Sequence, residues 1–116
     1  MELKIDGKTR ELKFGMGFLR TLDKAHSIEQ YGITFGVGLQ TVLPNFLAGS
    51  PVALSEIISA ATGCPQSAVD DAIEAYAEEN DLDELFDSVK ENLETASLTK
   101  KITGTMLDSL EEVSKK

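Results

Sequence analysis

A chain of 116 residues is long enough for one domain with a modest core and too short for two. Its 41% hydrophobic and 27% charged residues are ordinary for a globular domain, and a net charge of -9 argues against binding the phosphates of DNA or RNA. The single cysteine, Cys64, excludes an internal disulfide and fits a reducing compartment, while no apolar run approaches the ~20 residues that cross a bilayer.

In chain order, "ELKIDGKTRELKF" alternates apolar and polar residues about Asp6-Gly7, a dipeptide suited to a tight turn. This predicts a β-hairpin that buries Leu3, Ile5, Leu12 and Phe14. The charged, alternating start is unlike a signal peptide. A lone hairpin is marginal in water, so it must pack on helices. Phe18, Leu19, Leu22 and Ala25 predict a helix over about 16–27. Phe35, Leu39, Val42, Leu43, Phe46 and Leu47 predict another over about 36–48, kinked at Pro44 and stopped by Gly49. Ser50 caps the next helix, Pro51 takes its first turn and Gly63 ends it. Val69, Ala72, Ile73 and Tyr76 carry a fourth. Leu82, Leu85, Phe86, Val89 and Leu93 form the clearest amphipathic stripe, opened by Asn80 or Asp81. "TASLTKK" reads as a linker. Ile102, Met106, Leu107, Leu110 and Val113 mark a last, weaker helix. The expected fold is mainly α with a short N-terminal β-hairpin, in about five to six helices. Residues 1–98 form the domain, and 99–116 a linker and weak amphipathic helix.

Charge is unevenly placed. Residues 1–60 carry six basic and six acidic side chains, whereas 61–116 carry five and fourteen, which accounts for the whole -9. A solvated acidic face suits solubility or a basic protein partner.

One phrase occurs twice: "FGMGFLRTL" at 14–22 and "FGVGLQTVL" at 35–43. A dinucleotide fingerprint needs a third glycine three positions after the second, where Arg20 and Thr41 stand, and a P-loop needs Gly-Lys-Ser/Thr. The glycine pairs therefore read as turns into helices, anchored in the core by Phe14 and Phe35. His26 is the only histidine, which rules out a two-histidine metal site. It reads as a surface or boundary residue. Cys64 reads as an inert buried thiol. "ENDLDELFD" lacks the glycine of a calcium loop; its carboxylates read as a helix start and a solvated face. No cofactor, metal or catalytic residue is expected.

The openings "LKIDGKTRELKFGMGFLRTLDK" and "FGVGLQTVLPNFLAGSPVALSEIISAAT", followed by "LDELFDSVKENLETAS", resemble the tail assembly chaperones of long-tailed phages and prophages of Gram-positive bacteria. The resemblance runs over about residues 2–98. Its most specific pieces are Phe14-Gly15, Gly17-Phe18 and Leu22-Asp23-Lys24, with Leu43-Pro44-Asn45, Gly49 and Pro51 to Leu54. It implies a non-catalytic helper in the host cytoplasm that is absent from the mature virion. Such a helper binds the tape measure protein, keeps it soluble and recruits tail tube protein, in many phages through a longer frameshifted form. Lys115-Lys116 is a dipeptide that a slippery codon pair would encode. Candidate partner-binding residues are Leu82, Leu85, Phe86, Val89, Leu93, Ile102, Met106, Leu110 and Val113; the stripe over 82–93 reads sooner as plain core, and the last helix as the one outside it. Weak homo-oligomers fit as well. The rival reading is an acidic inhibitor that mimics nucleic acid and blocks a DNA-binding enzyme.

Overall fold

The computed structural model describes the backbone of residues 1–114 and their side chains apart from Phe35 and 110–114. The chain opens with strands β1 (Glu2–Ile5) and β2 (Lys8–Glu11), then helix α1 (Met16–Ala25). A second pair of strands follows, β3 (Ser27–Gln30) and β4 (Ile33–Gly36). Helices α2 (Gly38–Leu47), α3 (Pro51–Thr62), α4 (Gln66–Glu79), α5 (Leu82–Thr95) and α6 (Lys100–Ser114) complete it. The mainly helical fold with an N-terminal hairpin is as expected. Lys115-Lys116 lies outside the described residues.

The first hairpin turns where Asp6-Gly7 predicts, with φ of 53° and 75° at the two turn residues. Both angles are left-handed, as a two-residue turn matched to strand twist requires. Leu3, Ile5 and Leu12 are buried beneath it. Phe14 is only partly buried and meets Phe18 edge-to-face, with ring centroids 5.1 Å apart.

The second hairpin is absent from the sequence reading, which left 28–35 between two helices. Helix α1 stops at Ala25, and His26 turns extended at φ -130°. Ser27 to Gln30 then pairs antiparallel with Ile33 to Gly36. Its turn, Tyr31-Gly32, repeats the left-handed pair of the first at φ of 55° and 75°. Tyrosine is an unusual residue for that conformation. The alternation of Ile28, Gln30, Ile33 and Phe35 was the available signal.

Helix α2 starts at Gly38, two residues later than expected, and continues through Pro44. It ends in a paired closure: Gly49, at φ 95°, donates its N–H to the Phe46 carbonyl, and Ser50 donates to that of Asn45. Ser50 then caps α3 by accepting from the Ala53 N–H, and left-handed Gly63 closes that helix. Helix α3 is the centre of the molecule. Its Leu54, Ile57 and Ile58 are fully buried, against Leu39, Val42, Leu43 and Phe46 of α2 and Val69 and Ile73 of α4. The one polar side chain buried within it, Ser55, donates to Asp70 and accepts from Gln66, so α3 and the start of α4 are tied by satisfied polar groups.

The repeated glycines are not turn devices, contrary to the sequence reading. None of Gly15, Gly17, Gly36 and Gly38 has a positive φ. Gly15 and Gly17 have open space where a Cβ would stand. The second pair is a close-packing joint. A Cβ on Gly38 would lie 2.3 Å from the Leu22 carbonyl carbon and 2.5 Å from the Asp23 nitrogen. One on Gly36 would lie 2.5 Å from the Asp23 carboxyl carbon. The missing side chains let the start of α2 rest on the last turn of α1. There Asp23 accepts the Gly38 N–H at 2.9 Å and supplies the cap that Val37 does not. A carboxylate at a helix N-terminus is also favoured by the helix dipole. Leu22-Asp23 and Gly36-Val37-Gly38 are thus two halves of one contact.

"TASLTKK" folds as a tight turn over 96–99 leading directly into α6. Thr99 is fully buried and donates its hydroxyl to the Leu93 carbonyl at 2.8 Å, closing α5. Thr103, one turn later, is fully buried as well, but its hydroxyl has no partner among the described residues. A buried, unpaired hydroxyl costs stability that a methyl group of the same shape would not. Thr103→Val is therefore expected to stabilise the protein by about 1 kcal/mol. A thermal midpoint that fell on this change would show that the hydroxyl has a partner in solution.

Candidate functional site

Chemistry has little to work with. Among the described residues no group of three or more His, Cys, Asp or Glu side chains could hold a metal ion. Cys64 is buried at the α3–α4 junction, where its N–H donates to the Thr62 hydroxyl at 3.2 Å. His26 is partly buried, and its Nε2 lies 3.3 Å from both carboxylate oxygens of Glu56, joining the end of α1 to α3. No described helix is long and apolar enough to cross a membrane.

The candidate partner-binding residues divide by burial. Leu85, Val89 and Leu93 are core, exposed by 3% or less. Leu82 and Phe86, from the same helix, are only partly buried and sit at the edge of that core. Ile102 and Met106 of α6 pack against it in the same way. The side chains of Leu110 and Val113 lie outside the described residues. The stripe therefore has two functions by position: its centre builds the interior, and Leu82 and Phe86 form a rim.

Phe86 of that rim lines a groove where α2, α5 and α6 meet. Phe46 stacks on Phe86 with ring centroids 5.4 Å apart and planes 26° apart. Leu47 and Leu107 extend the apolar wall, and Asp83, Asp87 and Lys90 stand around it. An apolar trough with a charged margin is what one face of an amphipathic helix fits.

A second apolar surface was not anticipated from the sequence. In the second hairpin, Gln30 lies across from Ile33 and Ile28 is two residues before Gln30, so these three share one face. Ser27, Thr34 and Gly36 share the other, which lies with Arg20, Asp23 and Lys24 of α1 about a shallow polar recess. The ribbon turns its polar side to its own helix. Ile28 and Ile33 are more than half exposed, and Tyr31 at the tip is 93% exposed.

Fold and surface together define a small α+β protein, mainly helical, whose described features are apolar troughs and an exposed ribbon rather than a reactive cluster. The chain belongs to the phage tail assembly chaperone family: the model of the phage tail assembly chaperone protein, TAC, matches residues 2–107. The match reaches the middle of α6, beyond the resemblance read from the sequence. No curated protein and no solved structure matches the chain.

Proposed function

We propose that this protein is a non-catalytic chaperone of tail assembly in a long-tailed phage or prophage of Gram-positive bacteria. It binds the tape measure protein, keeps it soluble and helps to bring tail tube subunits to it. It works in the host cytoplasm and stays out of the mature virion. The observation that carries this reading is the family match over 2–107. The groove beside Phe86 supports it, because a long helical client offers apolar helix faces that such a trough would shield.

In the same reading, 99–116 is a separable unit. Helix α6 docks through the partly buried Ile102 and Met106 about the buried Thr103, whose hydroxyl has no partner among the described residues, a smaller apolar contact than the fully buried Leu85, Val89 and Leu93 make for α5. Weaker amide protection over 100–109 than over 82–94 is the expected sign. Equal protection would make α6 part of the core.

Co-expression with the tape measure gene tests the main claim. The tape measure protein should become soluble and be captured with the chaperone. Leu82→Ser with Phe86→Ser should reduce that capture while the fold remains. A tape measure protein that is equally soluble alone, with nothing captured, would sink the proposal.

A further inference from the structure

A groove larger than the one beside Phe86 lies elsewhere, between the first hairpin and α4. Three features of it converge. The first is a free strand edge. Among the described residues the sheet holds β1 and β2 alone, so β1 has an unpaired side. Leu12 donates its N–H to the Met1 carbonyl at 2.9 Å, which makes Met1 and Leu12 a hydrogen-bonded pair. In an antiparallel ladder such pairs alternate with open ones. Leu3·Arg10 and Ile5·Lys8 are then bonded, while Glu2·Glu11 and Lys4·Thr9 are open. The backbone N–H and C=O groups of Glu2 and Lys4 consequently point off the free edge of β1, and those of Thr9 off the opposite edge.

The second feature is the floor. Beside β1, α4 presents Ala72 and Tyr76, both partly buried, with the small side chain of Ala75 next to them. The third is charge. Glu2 and Asp6 from the hairpin and Asp71 and Glu79 from α4 line the groove, against Lys4 alone. Among the described residues none of these four carboxylates is held in an ion pair.

We propose that this groove binds an extended segment of a protein partner, which adds to the edge of β1 as a third strand. Its residues alternate between small apolar and basic. The backbone bonds to Glu2 and Lys4, as in strand addition generally. Apolar side chains turn down onto Ala72 and Tyr76, and basic ones turn out among the carboxylates. Period-two alternation delivers both at once. A helix meets the floor and the charges but leaves the strand edge unbonded. The proposal does not depend on the tape measure reading, because the surface is distinct from the rim at Leu82 and Phe86 and the test needs no phage partner.

The probe is a capped synthetic peptide of alternating lysine and valine, titrated into the full chain. It should bind saturably and slow hydrogen exchange at the Lys4 amide by about tenfold or more, leaving the Thr9 amide unchanged. Asp71→Lys with Glu79→Lys should weaken binding by at least about tenfold. Glu74→Lys with Glu84→Lys makes the same change in net charge at exposed residues outside the groove lining and should leave most of the affinity. Thermal midpoints confirm that both variants fold. No binding, equal loss in the two pairs, or equal protection of Lys4 and Thr9 would each overturn the proposal. Loss of tape measure capture on changing Leu82 and Phe86, with peptide binding intact, would leave it standing.

Discussion

Gly38→Ala is expected to destabilise the protein by about 3 kcal/mol or more, the upper end of what overpacking costs. The added methyl would meet the Leu22 carbonyl carbon at 2.3 Å and the Asp23 nitrogen at 2.5 Å. Both are backbone atoms inside α1, so no side chain can swing aside and the two helices must separate. Separation also lengthens the bond from the Gly38 N–H to Asp23 and leaves the start of α2 uncapped. For a domain of this size the thermal midpoint should fall by roughly 10 °C or more. Gly36→Ala meets the Asp23 side chain instead, which can rotate at the expense of that cap, so about 1–2 kcal/mol is expected. Gly15→Ala meets nothing at an ordinary φ of -109° and should stay within about 0.5 kcal/mol. Denaturant midpoints of the three variants rank them directly. If Gly15→Ala proved as damaging as Gly38→Ala, the glycines would be turn devices after all.

The same glycines show where a sequence stops being legible. "FGMG" and "FGVG" are alike as strings, and nothing local separates a glycine with open space from one pressed against another helix. The difference lies in what Leu22 and Asp23 do fifteen residues away, which is tertiary information. Ser50, Pro51 and Gly63 could be read correctly because caps and stops are local chemistry. Asp6-Gly7 could be read for the same reason. Tyr31-Gly32 adopts the same turn, but tyrosine does not advertise a left-handed conformation, so the second hairpin was missed despite its period-two pattern. The stripe over 82–93 was legible as a helix face. Its division into a core of Leu85, Val89 and Leu93 and a rim of Leu82 and Phe86 was not, because the width of an apolar face does not say how far its neighbours cover it.

Phe46→Ala and Phe86→Ala should separate that core from that rim. Phe46 is 2% exposed and lies among Leu39, Leu43 and the side chains of α3. Removing its ring leaves a cavity that close-packed neighbours cannot fill, and about 3–5 kcal/mol is expected. Phe86 shares the stack at 5.4 Å but is partly open to the groove. Its removal forfeits less burial and little cavity, so about 1–2 kcal/mol is expected. Function should run the other way. Phe86→Ala is expected to weaken tape measure capture while the chain stays folded, because the lost ring faces the groove. Any effect of Phe46→Ala on capture should follow its loss of folded protein, and should disappear at a temperature low enough to keep the variant native. Urea midpoints and capture yields on the same preparations decide the matter. Equal destabilisation by the two changes would make Phe86 plain core. The partner surface would then have to be sought at the exposed ribbon of Ile28, Tyr31 and Ile33, where Ile28→Ser with Ile33→Ser is the corresponding test.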